Sequence, residues 1–223
     1  MDPKILVLSQ GPHHIAVFKP HNMAVIGGQG VVRPTLLDCM RKMFGAHISA
    51  VHRLDRATAG ITVFARSLFA KHALENAFKK RLVKKTYFAI CEGTPGFKKQ
   101  SVNQPLKKID LDHKKGPAAK TCVDPQGEAS VTNFKLLRQL SPEYCLIEAQ
   151  PVSGRMHQIR AHLAYLGLPI VGDVLYGAKK TCAPHTIALC AVGLSLPLPR
   201  GGRVEIDARA YFKPENYVKI TNN

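Results

Sequence analysis

The chain has no apolar run long enough to cross a bilayer. Its longest, such as residues 61–65 and 187–192, fall far short of the roughly twenty residues a spanning helix needs. A signal-peptide pattern is also missing, because Asp2 and Lys4 surround only a short apolar patch. Six cysteines, at 39, 91, 122, 145, 182 and 190, form no C-x-x-C pair, as expected of a reduced cytosolic chain and not of a disulfide framework. Gly27-Gly28-Gln29-Gly30 is glycine-rich without being a dinucleotide fingerprint, since Arg33 stands at the third glycine position and Pro34 follows. Long linkers and solenoid repeats are lacking too. Neither secretion nor membrane insertion is therefore expected, and a cytoplasmic protein folding as a single domain over residues 1–223 is expected.

Acidic residues are also scarce. Fifteen Asp and Glu face thirty-two Lys and Arg, leaving a net charge of +17 and a pI near 9.8. Residues 67–120 alone hold thirteen basic and four acidic side chains. Such a balance suits a partner rich in phosphates, because neutralising them releases condensed counterions. Nucleic acid is favoured over an anionic membrane; a basic surface kept for solubility is the plainer alternative.

The pattern of apolar residues predicts strand, turn and strand over residues 5–18, then a short helix capped by Thr35. The apolar face of that helix is Leu36, Leu37, Met40, Met43 and Phe44, and it ends at Gly45. After a polar segment, 51–60, residues 61–65 read as a strand. Ser67 then caps a helix with Ala70, Leu74, Ala77 and Phe78 inside and Lys71, Glu75 and Lys79 outside. Further strands are expected at 86–91, 129–137, 144–152, 187–196 and 203–206, and a helix at 156–166 with Met156, Ile159, Leu163 and Leu166 inward. Residues 93–127 read as loops or a hairpin. Strands outnumber helices and often follow one another, so the expected class is α+β with a largely antiparallel, mixed sheet flanked by helices and loops.

Two segments hold side chains suited to chemistry. In His52-Arg53-Leu54-Asp55-Arg56, a carboxylate between two arginines sits on a turn before a buried strand. Nearby positive charge favours its ionised form, and such a group can act as nucleophile, base or metal ligand. It can equally be an ion-paired residue that fixes the turn. In Gly154-Arg155-Met156-His157-Gln158-Ile159-Arg160, Arg160 lies three and four residues beyond His157 and Met156, so a helix would present a cation on one face. A basic surface helix fits as well. His13-His14 and His157/His162 suggest a metal, but the i,i+5 spacing of the second pair separates two ligands around a helix; no metal is expected.

Together these segments resemble the RluA-type family of RNA pseudouridine synthases. The family pattern HRLDxxTSGLLxxAK is met here by HRLDRATAGITVFAR, residues 52–66. Its K-x-Y-x-A-x-x-x-G is met by Lys85 through Gly93, and its GRxHQIRxHLxxxGxPIxGDxxYG by Gly154 through Gly177. There are departures: the stretch Lys19-Pro20-His21-Asn22-Met23-Ala24-Val25 lacks the glycine of KPxGxxV, Ala59 replaces Ser, and Arg66 replaces Lys.

The resemblance implies a pseudouridine synthase catalytic fold with a central RNA-binding cleft. It also implies an isomerase that needs neither metal nor cofactor, with RNA (a ribosomal or transfer RNA stem-loop) as partner and a monomeric state. Asp55 is then the catalytic carboxylate, Tyr87 the tyrosine that packs on the target base, and Arg160 the partner of Asp55. Arg53 either enters the RNA fold to help extrude the nucleotide or contacts phosphate. Arg155 and His157 are candidates for RNA or pocket contacts, and Lys79, Lys80, Lys84 and Lys85 for the basic track. Without a separate S4 domain, target choice is expected to rest on the catalytic domain, with residues 97–120 a mobile loop that closes on RNA. A silent RNA-binding or RNA-folding protein on the same scaffold is the alternative, and a nucleoside hydrolase a weaker one, since no second carboxylate partner is evident.

Overall fold

The structure, a computed structural model, describes residues 5–28, 31, 33–111 and 119–218. In chain order its elements are β1 (Leu6–Gln10), β2 (His14–Lys19), α1 (Leu36–Phe44), β3 (Ser49–Ala50), β4 (Ala59–Ala65), α2 (Leu68–Lys79) and β5 (Lys84–Glu92). They continue with β6 (Lys99–Asn103), β7 (Leu106–Asp110), β8 (Ala119–Val123), β9 (Val131–Ser141), β10 (Tyr144–Pro151), α3 (Gln158–Tyr165), β11 (Leu189–Pro197) and β12 (Arg203–Asp207). The chain forms two compact units, one of Met1–Lys85 with Cys190–Phe212 and one of Thr86–Leu189 with Lys213–Asn223.

In the first unit, strands run in the order β1-β2-β4-β11, with β3 also on β4 and β12 on β11. Only the β4–β11 pairing is parallel; the others are antiparallel. All seven residues of β4 are buried, which is why residues 61–65 read as a continuous apolar run without alternation. Ile61, Val63 and Ala65 meet Ala70, Leu74 and Ala77 of α2 and Leu194, Leu196 and Ile206 of the C-terminal strands in one core. Gly60 has φ +113°, and a Cβ there would overlap the Ala191 backbone, so the parallel pair closes only on glycine.

Both helix starts follow their caps. Thr35 and Asp38 form a reciprocal capping box on α1, and the Ser67 hydroxyl accepts from Ala70 N. The apolar face expected for α1 is narrower in fact: Leu36, Cys39 and Met40 are buried, but Met43 is 49% exposed. The last turn of the helix runs out past the core and leaves that side chain half in solvent.

The second unit is built on an antiparallel sheet in the order β5-β10-β9-β6, with β7 and β8 forming a separate two-stranded sheet. Three strands thus occupy the segment read as loops or a hairpin. The closing loop expected over 97–120 falls partly outside the described residues, which omit 112–118. Helix α3 packs on β8, β9 and β10. It starts two residues later than expected because His157 adopts a left-handed φ of 55°. Gln158, Ile159, Arg160, Ala161, His162 and Leu163 are all buried, so α3 is no basic surface helix. Among the described residues no helix is long and apolar enough to cross a membrane.

Candidate active site

Asp55 lies on the turn between β3 and β4, where Thr58 N donates to its carbonyl at 3.1 Å. The turn is fastened from beneath by Lys19 at the end of β2. This lysine is fully buried, and its Nζ donates to the carbonyls of Pro20 (2.9 Å), Met23 (2.8 Å) and Arg56 (3.2 Å). Burial pushes its pKa down to about 7, and the neighbouring Asp55 charge opposes that fall. His21 adds a second tie: its Nδ1 lies 2.7 Å from the Ala57 carbonyl, which can only accept, so Nδ1 carries the proton. Arg56 donates from Nε to Asn22 Oδ1 at 2.8 Å. Asp55 itself is half-buried, while Arg53 and Arg56 are exposed.

His52 is structural. Its Nε2 accepts from Val63 N at 2.9 Å, and its ring stacks on Phe78 with centroids 4.5 Å apart. Burial, helped by the charge of Lys85, pushes its pKa down to about 3. Lys85 in turn is half-buried and pushed down to about 8, by burial first and then by Arg81. Lys79, Lys80 and Lys84 are exposed, as a phosphate-facing track requires. Lys85 is set apart from them by its burial.

In the second unit Tyr87 is half-buried on β5, opposite Ala149 of β10. Arg160, 6% exposed, forms a two-pronged pair with Asp173: Nε to Oδ2 at 2.7 Å and Nη2 to Oδ1 at 2.8 Å. The guanidinium also lies 4.9 Å from the centroid of the Tyr176 ring. The Tyr176 hydroxyl accepts from Thr121 N at 2.8 Å and lies 3.1 Å from His157 Nδ1. A buried fork-to-fork pair of this kind fixes the guanidinium in one orientation. Glycine is needed at Gly172, φ +87°, because a Cβ there would crowd the Thr186 carbonyl at 2.7 Å.

Two expected contact residues also have partners within the fold. The Arg155 side chain pairs with Glu128, while His157 serves as the left-handed start of α3 and a neighbour of Tyr176. The rest of the segment after Gly154 is scaffolding. Gln158 accepts from Ser153 Oγ and Arg155 N and donates to the Val131 carbonyl and Thr132 Oγ1. His162 is held by Thr132 Oγ1 at 2.8 Å and the Gln104 carbonyl at 3.1 Å.

Sequence reasoning missed Lys19, Asp173 and Tyr176 as site residues. Asp173 and Tyr176 stand inside a segment that carries the family resemblance, which is the signal that points to them, while Lys19 stands in the stretch that departs from the family pattern. Lys19 with Arg56, Asp173 with Arg160 and Tyr176 with Thr121 lie 37, 13 and 55 residues apart, beyond the reach of composition and spacing.

The architecture defines the fold. The fold is that of pseudouridylate synthase structures: it aligns with human RNA pseudouridylate synthase domain containing 1 at a TM-score of 0.79, covering 97% of this chain and 89% of that one at 24% identity. The chain belongs to the RNA pseudouridylate synthase family, whose model matches residues 13–165. Among curated relatives, it is 37% identical over 169 residues to ribosomal large subunit pseudouridine synthase C of Rickettsia felis, covering 74% of this chain and 54% of the relative. It is 34% identical over 211 residues to the uncharacterized RNA pseudouridine synthase YhcT of Bacillus subtilis, covering 86% and 68% respectively. The chain thus spans about half the length of the Rickettsia relative.

Proposed function

We propose that this chain isomerises uridine to pseudouridine in RNA. The observation that carries the reading is the family match over residues 13–165, a span that contains Asp55, Tyr87 and Arg160 together. The reaction breaks the bond from uracil N1 to ribose C1′, turns the base, joins C5 to C1′, and moves the C5 proton to solvent while N1 gains one. Atoms balance without oxidation or hydrolysis, so acid–base and carboxylate chemistry suffice.

Asp55 carries the reaction, either attacking the substrate or assisting glycosidic cleavage. Tyr87 stacks on the target base, an interaction worth roughly 1–3 kcal/mol that tolerates rotation in the plane. Arg160 is the charge partner of Asp55; its fixed guanidinium, one edge held by Asp173, suits that role. Arg53, exposed beside Asp55, offsets part of the few kcal/mol needed to extrude the nucleotide. Lys79, Lys80 and Lys84 steer the RNA backbone.

The target is large-subunit ribosomal RNA, which the names of relatives such as the Rickettsia felis protein favour, and the enzyme acts as a cytoplasmic monomer. A uridine in a loop is preferred over one in a duplex, where flipping costs more.

The test is tritium release from RNA labelled at uridine C5, with ribosomal and transfer RNA supplied separately. Wild-type protein is expected to release tritium from ribosomal RNA, and Asp55→Asn to release none while binding RNA within a few fold. Release that survives in Asp55→Asn would refute the assignment.

A further inference from the structure

Within the first unit a cavity of about 430 Å³ opens between the loop after β2 and the turn that carries Asp55, inside the roughly 300–1,000 Å³ range of small-ligand pockets. Its apolar wall includes Met23, Val25 and Leu54, and its cationic residues are Arg33, Arg53 and Arg56. Among the described residues no Asp or Glu lines it. Asp55, between two lining residues in sequence, is not among them either.

The walls are preformed. Lys19 holds the carbonyls of Met23 and Arg56, and the carbonyls of Ala24 and Val25 accept from Leu36 N and Leu37 N at 2.8 and 2.9 Å. The cations are available at the same time. The Arg33 side chain is 72% exposed, with one nitrogen on Asp38 at 3.1 Å, and Arg53 and Arg56 are exposed.

An apolar wall beside several guanidinium groups and no carboxylate matches a flat, uncharged heterocycle joined to a phosphate. We propose that this cavity receives the nucleotide next to the target uridine, its base against Met23, Val25 and Leu54 and its phosphate on Arg33 and Arg56. The cavity would then read the sequence around the modified position. This rests on the RNA isomerase reading above and adds a specificity-determining subsite to it.

Binding of the pentaribonucleotide AAUAA to the Asp55→Asn protein tests it, with each flanking adenine replaced in turn by an abasic residue. One abasic position is expected to weaken binding roughly five- to tenfold. Gly28→Leu fills the cavity from a lining glycine where an added Cβ meets nothing nearer than Val31 Cγ2 at 3.8 Å. In that variant the same abasic position should cost nothing further. Met23→Trp, from another wall, makes the same test should Gly28→Leu fail to fold. Arg33→Ala should weaken AAUAA binding yet keep the abasic penalty.

Abasic penalties that are unchanged by filling the cavity overturn the proposal. So does AMP binding tighter than AAUAA and competing with it, which would assign the cavity to a free nucleotide. The readout is affinity, not turnover. Tritium release without this coupling sinks the subsite alone, and coupling without release sinks the isomerase alone.

Discussion

Arg160 is held by charge and by an aromatic face at once: Asp173 takes two of its nitrogens, and the Tyr176 ring lies alongside. Arg160 and Asp173 side chains are 7% and 1% exposed, so neither charge has water to fall back upon. Removing one partner of a buried pair leaves the other uncompensated, which typically costs about 3–5 kcal/mol. Asp173→Asn is therefore expected to lower unfolding free energy by about that amount in urea titrations. Replacing both residues with apolar ones of similar size should recover much of the loss. A cost below about 1 kcal/mol would mean that the pair is solvated in the protein at work. Tyr176 has a further task, because Thr121 on β8 gives its backbone N–H to the tyrosine oxygen; the orientation of Arg160 and the seating of that strand share one side chain.

At the scale of elements, the junction of β3, β4 and α2 depends on a neutral histidine. His52 accepts from Val63 N and stacks on Phe78, and charging the ring would turn the accepting nitrogen into a donor facing the Val63 N–H. Its pKa falls from 6.5 in the unfolded chain to about 3 in the fold. Between those values the unfolded chain binds the extra proton, so this contribution to stability is complete above pH 6.5 and is lost as the pH falls toward 3. By pH 5 the loss from this one group is about 2 kcal/mol. Urea midpoints at pH 7 and pH 5 should fall farther apart for the wild type than for His52→Gln, whose carbonyl can still accept from Val63 N. His14, His21 and His162, also lowered by burial, leave some slope in the variant. Equal slopes would show that His52 charges without cost.

For the molecule as a whole, the net charge of +17 sets how it meets a polyanion. Lys79, Lys80 and Lys84 are exposed, whereas Lys85 lies half-buried near His52 and Arg81. Changing the three exposed lysines to Gln is expected to weaken RNA binding. It should also flatten the plot of log affinity against log salt by roughly 0.7–0.9 for each phosphate no longer neutralised. Affinity for a ribosomal RNA fragment across a potassium chloride series measures this. A slope that does not change would move the RNA track to other lysines, with Lys98, Lys99, Lys107 and Lys108 the next to test.

Much of this was legible in the residues alone. The class, the capped starts of α1 and α2, the buried β4 and the basic charge follow from local rules: side-chain period, capping chemistry and charge count act over a few residues, and sequence order preserves them. The three spaced motifs also carry the proposal for Asp55, Tyr87 and Arg160, through their resemblance to a family. What sequence could not decide was partnership across long separations. Lys19 reads as any lysine at a strand end until tertiary structure buries it against the carbonyls of Met23 and Arg56. Arg155 and His157 read as candidates for RNA or pocket contacts, and only the fold places Glu128 beside the one and Tyr176 beside the other. Met43 reads as core until the last turn of α1 leaves it half in solvent. Burial and pairing depend on where distant segments arrive, and only the folded chain fixes that.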